Sequence, residues 1–260
     1  MSTNYIKVIE FNRSFGIFVS ETPLPDIFVS NPKLTDLRYS LISEEVGELN
    51  EAYDQKDIIE VIDALSDILY VVYGAGASFG IELDTNFKLA ISEITSIDFD
   101  VHISNLSNYH AVKYYLEKFT NYEIPNTISK DFLNNNVLKT KETINTTLSN
   151  LKISIDKKEF EAVSNHLLRL LYYTYTLGII MGVDLDKSYD IVHSSNMSKL
   201  CKNEAEAKET VAWYLKNESR YDSPSYRKSY DDKNWVIFNR STGKILKSIN
   251  YNPAKFDSML

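Results

Sequence analysis

Six carboxylate residues occur at helical spacing in the first third of the chain, where they crowd one another. They are Glu44, Glu45, Glu48, Glu60, Asp63 and Asp67, and a long apolar run follows them. Like charges one helical turn apart repel each other by a few tenths of a kcal/mol per pair, so a compensating cation is expected. Carboxylate oxygens are the ligands that Mg²⁺ and Mn²⁺ prefer, and such ions take their remaining ligands from water or phosphate.

The elements that must position these carboxylates are two helices joined by a short polar turn. Apolar residues recur at three-and-four spacing over residues 34–53, and residues 57–79 form a second apolar pattern that ends at Gly80. Two helices joined in this way pack antiparallel, which brings both acidic stripes together. The alternative is that the acids form an ordinary solvated surface. That alternative is weakened because Asp63 and Asp67 run into a helix that is apolar nearly all round.

An internal repeat organises the rest of the chain. Shifting the sequence by 102 residues lays 44–84 over 146–186 without a gap, with identical residues at twelve of 41 positions. Most identities fall at predicted core or cap positions, which indicates a duplicated packing scaffold. The six acids are not repeated, because their counterparts are Thr146, Thr147, Asn150, Ala162, Asn165 and Arg169. If the acids were only a solvated surface, we would not expect all six to be replaced while the core positions are repeated.

The predicted fold is all-α: a duplicated antiparallel helix-pair bundle with a pseudo-twofold four-helix core and a small C-terminal β-hairpin. We expect a first repeat with the acidic helix pair over 1–125, a degenerate second repeat over 126–205, and a C-terminal helix and hairpin over 206–260. The hairpin is predicted from two short β-type runs around the turn that contains Gly243. The role of residues 95–145 stays open.

Composition narrows the classes of partner. The net charge is −8 and Cys201 is the only cysteine, so we expect neither nucleic acid nor an anionic membrane as a partner, and no intrachain disulfide. No apolar run approaches the roughly 18 residues of a membrane span. These features predict a soluble cytoplasmic protein.

The acidic motif runs from Arg38-x-x-Leu41 through Glu44-Glu45-x-x-Glu48 to Glu60-x-x-Asp63 and Asp67-x-x-Tyr70. In this order it resembles the all-α nucleoside triphosphate pyrophosphohydrolases, which include MazG-like proteins, dimeric dUTPases and phosphoribosyl-ATP pyrophosphohydrolase. The phosphoribosyl-ATP pyrophosphohydrolase-like branch is the most similar. Its later motifs correspond here to Val192-His-Ser-Ser-Asn-Met-Ser-Lys199 and to a tail from Gly243 to Tyr251.

The resemblance implies that a Mg²⁺-dependent attack of water on a nucleoside triphosphate releases the monophosphate and pyrophosphate. It implies metal binding by the six acids (Mn²⁺ being possible), with Glu45 or Glu48 as the base that activates water. Substrate binding is assigned to Arg38, Asn196, Lys199, Lys247 and Tyr251. The alternatives are that Arg38 pairs with a neighbouring glutamate, that Lys247 and Tyr251 are hairpin surface, and that His193 is a helix-end contact rather than a base.

The two halves carry complementary parts of the motif. Opposite the His193–Ser198 stretch the first repeat has ISEITS, residues 91–96, so it lacks the Asn and Lys. We therefore predict one composite site per chain, in a monomer with a pseudo-dimeric core or in a homodimer. The expected function is nucleotide-pool housecleaning. Alternatives are phosphoribosyl-ATP pyrophosphohydrolase proper, a catalytically inactive nucleotide-binding or regulatory protein, and a purely structural helical protein.

Overall fold

The computed structural model describes residues 3–95, 105–120 and 122–260. Residues 96–104 and 121 therefore lie outside the described residues. They belong to the stretch 95–145, whose role the sequence left open, and they include the last residue of ISEITS, Ser96. The first half contains five helices within this description: α1 (Asn4–Phe15), α2 (Ile27–Ser30), α3 (Pro32–Gln55), α4 (Ile58–Phe79) and α5 (Leu83–Thr95). The two predicted acidic helices are thus confirmed as α3 and α4.

Helices α3 and α4 begin and end where the sequence supplies caps. Asn31 caps α3 by accepting a hydrogen bond from the Leu34 N–H, and proline follows at the first helical position. Asp57 caps α4 by accepting from the N–H groups of Ile59 and Glu60. The chain reverses between the helices at Lys56, which adopts the left-handed conformation. This tight reversal makes α3 and α4 an antiparallel pair.

The second half repeats the same order of long helices. The elements are α6 (Asn108–Phe119), α7 (Asn135–Lys157), α8 (Phe160–Ile180) and α9 (Leu185–Met197), followed by α10 (Glu204–Asn217). Lys158 takes the left-handed conformation between α7 and α8, as Lys56 does between α3 and α4. These two lysines are 102 residues apart, which is the offset that the sequence repeat predicts.

The pseudo-twofold four-helix core is confirmed. Helix α3 packs on α4 and α7 on α8, while α4 packs on α8 and α3 on α7. The hydroxyls of the equivalent residues Tyr73 and Tyr175 lie 3.0 Å apart, so the pseudo-symmetry axis passes close to this contact. Both rings are fully buried in one continuous apolar core. Among the described residues, no helix has the length and apolar character needed to cross a bilayer.

The repeat extends beyond the part that the sequence comparison detected. Helices α1 and α6 have twelve residues each and begin with Asn-Tyr, and their N-caps are Thr3 and Ser107. Asn4 donates to the Tyr175 hydroxyl, and Asn108 donates to that of Tyr73. Helix α6 is therefore the second copy of α1. The domain boundaries stay a prediction, but this pairing favours a second repeat that starts near residue 107.

The C-terminal segment forms a small antiparallel sheet in the order β1-β2-β3. Strands β2 (Trp235–Asn239) and β3 (Ile245–Leu246) make the predicted hairpin, and β1 (Pro224–Lys228) adds a third strand. The sequence prediction missed β1, whose segment PSYRK has no strong apolar alternation, because its pairing with β2 is set by tertiary packing. An apolar cluster of Ala207, Tyr214, Ile237 and Leu246 joins this sheet to α10.

Gly80 follows α4 at a point where the backbone near Thr22 packs closely against it. Its φ is +72°, and an added Cβ would lie 1.8 Å from the Thr22 carbonyl oxygen. Gly80→Ala should therefore lower the free energy of unfolding by roughly 2–5 kcal/mol, combining left-handed strain with overpacking. Gly243 has the same φ but open space around it, so Gly243→Ala should cost only about 1–2 kcal/mol. Equal losses in urea unfolding would contradict the close approach.

Candidate active site

The acidic residues of α3 and α4 face each other across the helix pair. Glu45, Asp63 and Asp67 are half-buried, whereas Glu44, Glu48 and Glu60 stand at the exposed rim. Near that rim, Glu48, Glu60 and Asp63 line a cleft of about 250 Å³. The antiparallel packing places Glu45 near Asp67, and Glu48 near Asp63 and Glu60. The predicted convergence of two stripes is the arrangement observed.

The electrostatic cost of this arrangement is visible in the carboxyl pKa values. Burial, with the Asp67, Glu48, Glu44 and Asp63 charges, raises the pKa of Glu45 to about 8. Burial and the Asp63 charge raise the pKa of Asp67 to about 7, although Lys199 opposes the shift. The pKa of Asp63 rises to about 6 through burial and the Glu60 and Glu48 charges. Burial and the surrounding glutamates also raise the pKa of Glu48.

Among the described residues, none of the six carboxylates has a cationic partner at contact distance. The ion pairs within the described residues involve other groups. In the part of the chain that the structure describes, no three His, Cys, Asp or Glu side chains are arranged so that they could hold a metal ion as they stand. The donor set nevertheless suits Mg²⁺ chemically, because it offers only hard oxygens that repel one another when ionised. The metal assignment therefore stays a prediction.

Cationic and amide groups reach the acids from the second half of the chain. Lys199 follows α9 and lies close enough to Asp67 and Glu45 for their charges to act on it. Burial lowers the pKa of Lys199, the two carboxylates oppose this, and the Lys247 charge adds to it. The Lys199 ammonium donates to the Asn196 side-chain oxygen at 2.5 Å. Asn196 in turn hydrogen-bonds the hydroxyl of Tyr70 on α4.

The C-terminal sheet and tail position Lys247 and Tyr251 at the same place. Backbone hydrogen bonds between Cys201 and Trp235 tie the segment after Lys199 to strand β2. The Lys247 N–H donates to the Tyr214 hydroxyl on α10, and its ammonium lies 4.3 Å from the centre of the Tyr251 ring. The Tyr251 hydroxyl accepts from Ser195 Oγ on α9 at 3.0 Å. Tyr251 is therefore tied to the α9 motif and the exposed Lys247 lies beside it, while their role in substrate binding stays a prediction.

Arg38 and His193 occupy positions that the sequence could not specify. Arg38 is only 5% exposed and its Nε donates to Ser78 Oγ at 2.9 Å, so it makes no ion pair with a neighbouring glutamate. His193 places Nδ1 3.1 Å from the Tyr70 hydroxyl and lies 3.9 Å from Glu10. These contacts agree with the alternative that His193 makes a helix-end contact and is not a base. They hold Tyr70 beside Asn196.

Two residues at the acidic cleft escaped the sequence analysis. Glu51 and Gln55 line the same cleft as Glu48 and Glu60, and the Glu51 charge contributes to the raised pKa of Glu48. Their spacing contained the signal, because Glu44, Glu48, Glu51 and Gln55 follow one face of α3 at i, i+4, i+7 and i+11. Tyr70 was part of the motif but received no role.

Comparisons with known proteins agree with this architecture. Residues 8–90, which include α3 and α4, match the family model described as phosphoribosyl-ATP pyrophosphohydrolase. A protein of Acanthamoeba polyphaga mimivirus, "Uncharacterized protein L479", is 38% identical over 262 residues, which cover this whole chain and 96% of that protein. The chain therefore contains a phosphoribosyl-ATP pyrophosphohydrolase-like domain at residues 8–90, which is consistent with the all-α nucleoside triphosphate pyrophosphohydrolase superfamily, and it belongs to one family with the mimivirus protein. The similarity to the mimivirus protein extends over both repeats of this chain. No solved structure matches it.

The candidate site is assembled from two separate parts of the chain. The phosphoribosyl-ATP pyrophosphohydrolase-like domain at 8–90 contains the acids, but Asn196, Lys199, Lys247 and Tyr251 all lie outside it. These residues reach the acids through α9 and the C-terminal tail. The candidate site of this chain is thus composite, with carboxylates from the first half and cations from the remainder.

The raised carboxyl pKa values predict how pH affects the metal-free protein. A carboxyl with a higher pKa in the folded state binds protons more tightly there, so stability is lost as pH rises from about 4 to about 8. Glu45→Gln should flatten this decline and raise the free energy of unfolding at pH 8 in the presence of a chelator. Glu142→Gln, at an exposed position on α7, is the control. An unchanged pH slope in Glu45→Gln would refute the crowding.

Proposed function

We propose that the protein is a Mg²⁺-dependent nucleoside triphosphate pyrophosphohydrolase that acts in cytoplasmic nucleotide-pool housecleaning. It would hydrolyse a ribo- or deoxyribonucleoside triphosphate to the monophosphate and pyrophosphate. The observation that carries this proposal is the composite site: half-buried carboxylates without a contacting cation face Lys199 and, beside it, Lys247. The carboxylates of such a site could bind a cation, and the two lysines could bind phosphate oxygens.

The acids would hold the metal, and the outer cations would hold the phosphates. Glu44, Glu45, Glu48, Glu60, Asp63 and Asp67 are the proposed ligands; Mn²⁺ is a possible substitute. When bound, the ion neutralises phosphate charge and favours departure of pyrophosphate. Lys199 and Lys247 suit phosphate as point charges, since no carboxylate in the described part of the chain lies at contact distance from either. Asn196 offers an amide to the sugar or base.

The chain's own residues supply the proton acceptor for water. Glu45 lies deepest among the α3 acids and Glu48 lies one turn away at the rim, so either carboxylate can accept the proton of the attacking water. Water adds to the α-phosphorus, the bond from that phosphorus to the β-phosphate oxygen breaks, and pyrophosphate leaves with the bonding electrons. Tyr70, fixed by His193 and Asn196, closes the inner wall of the site.

A second candidate substrate comes from the matched family. Because the model that matches residues 8–90 is described as phosphoribosyl-ATP pyrophosphohydrolase, phosphoribosyl-ATP is the alternative, with the same bond broken. A nucleotide-binding protein without catalysis is the remaining possibility. A panel of ribo- and deoxyribonucleoside triphosphates that includes phosphoribosyl-ATP separates all three by pyrophosphate release.

Two substitutions test the composite site in the full chain. Lys199→Ala should lower kcat/KM by roughly 10²-fold or more, by analogy with the loss of one preorganised charge-stabilising donor, and Asp67→Asn should abolish turnover. Lys187→Ala is the matched control, because Lys187 lies on the same helix α9 but pairs at the surface with Asp184. Pyrophosphate release with Mg²⁺ is the readout. The composite site would be refuted if Lys199→Ala and Lys187→Ala retained equal activity.

A further inference from the structure

A buried polar set in the acidic half of the core is not used by the mechanism above. It consists of Arg38, Asn12 and Ser78, with Gly74 beside the arginine. The Arg38 guanidinium packs against Gly74, where an added Cβ would lie 3.1 Å from Nη1. Its Nη2 has no hydrogen-bond partner among the described residues, and neither has Nδ2 of Asn12, a side chain only 1% exposed. Buried donors without acceptors destabilise the folded state, because the hydrogen bonds that they lose to water are not replaced.

The second half of the chain shows that the scaffold does not need these polar groups. At the 102-residue offset, Arg38, Gly74 and Ser78 correspond to Thr140, Thr176 and Ile180. The pairing of α1 with α6 places Leu116 opposite Asn12, and both Leu116 and Ile180 are buried. The same fold thus packs with apolar residues at two of these positions. The polar set occurs in the half that has the six acids and is absent from the half that lacks them. This indicates that the set serves to bind a ligand and is not needed for folding.

The set lies along the same helices as the acids. Gly74 follows Asp67 by seven residues on α4, and Arg38 precedes Glu45 by seven on α3, so both lie two turns, about 10 Å, from the acids. Val8 of α1 would lie 3.9 Å from a Cβ at Gly74. Asn12 is one turn further along the same face of α1, towards Asp67. This distance suits a nucleoside whose phosphates lie at the acids and Lys199.

The free groups are all donors, so the ligand group must be an acceptor. In the proposed function, Lys199 and Lys247 bind the phosphates at the outer end of the site. An uncharged carbonyl oxygen can enter the apolar surroundings of Arg38 and Asn12 at a lower desolvation cost than a phosphate can. We propose that Arg38 and Asn12 recognise the nucleobase and select bases that carry a carbonyl oxygen, and not an amino group, at C6 of a purine or C4 of a pyrimidine. This deepens the proposed function and rests on it. Ser78 orients the guanidinium by accepting from Nε while donating to the Phe18 carbonyl.

Matched nucleotide pairs test this selection. dITP and dATP differ in a carbonyl against an amino group at C6, and dUTP and dCTP differ in the same way at C4. The full-length protein with Mg²⁺ should favour the carbonyl member of at least one pair by about tenfold or more in kcat/KM, because a site built for a hydrogen bond rejects the analogue that lacks its partner. Asn12→Leu and Arg38→Gln should bring that ratio towards one.

The variants are chosen so that folding does not obscure the result. Asn12→Leu installs the residue that the second half already buries, so it should fold and keep or raise the melting temperature. Thr140→Gln places the same glutamine at the counterpart of Arg38 and should leave the base ratio unchanged. Binding of inorganic tripolyphosphate with Mg²⁺, measured by calorimetry, should be the same in Arg38→Gln and the parent.

Each outcome decides the matter. Loss of base preference in both variants, with tripolyphosphate binding retained, supports the assignment. An active parent that shows no preference for the carbonyl member of either pair, or an unchanged base ratio in active variants, overturns it while leaving the proposed function intact. Weakened tripolyphosphate binding in Arg38→Gln assigns the arginine to phosphate and also overturns it. A parent protein that hydrolyses no nucleotide removes the proposed function, and with it this inference.

Discussion

Repulsion among half-buried carboxylates is the constraint on which this structure depends. Glu45, Asp63 and Asp67 are held together by the antiparallel packing of α3 and α4, and their pKa values are raised to between about 6 and about 8. A fold gains nothing from such crowding by itself, and the second half shows the same helices without it. Positive charge between the helices would offset this repulsion, and under the proposed function a divalent ion would supply that charge.

The duplication explains how one chain completes such a site. The contact between Tyr73 and Tyr175 places the two halves around a pseudo-twofold axis, as in a dimer whose subunits have become one chain. Only the first half has the six acids of the helix pair, and only the second half has the motif from Asn196 to Lys199. Fusion allows this division, because two copies that are covalently joined no longer have to be identical. The C-terminal sheet then fixes Lys247 beside Lys199 through β2 and α10.

The sequence predicted those parts of the structure that depend on local periodicity. Spacing located α3, α4, their acidic stripes and the 102-residue repeat, and a motif located Asn196 and Lys199. The pairing of α1 with α6 escaped because its offset is 104, so an ungapped comparison cannot register it. Strand β1 escaped because its pairing is tertiary. Spacing put Arg38 on the acidic face, but its burial depends on Gly74 and Ser78 of the neighbouring helix, which periodicity within α3 cannot reveal.

The most direct test of the central claim is calorimetric titration of the protein with Mn²⁺ near pH 7, repeated in buffers of different ionisation enthalpy. Carboxyls with raised pKa values hold protons at this pH, so an ion that binds them must displace those protons into the buffer. The account predicts saturable binding with measurable proton release. Absence of binding heat, or binding that releases no protons, would contradict it.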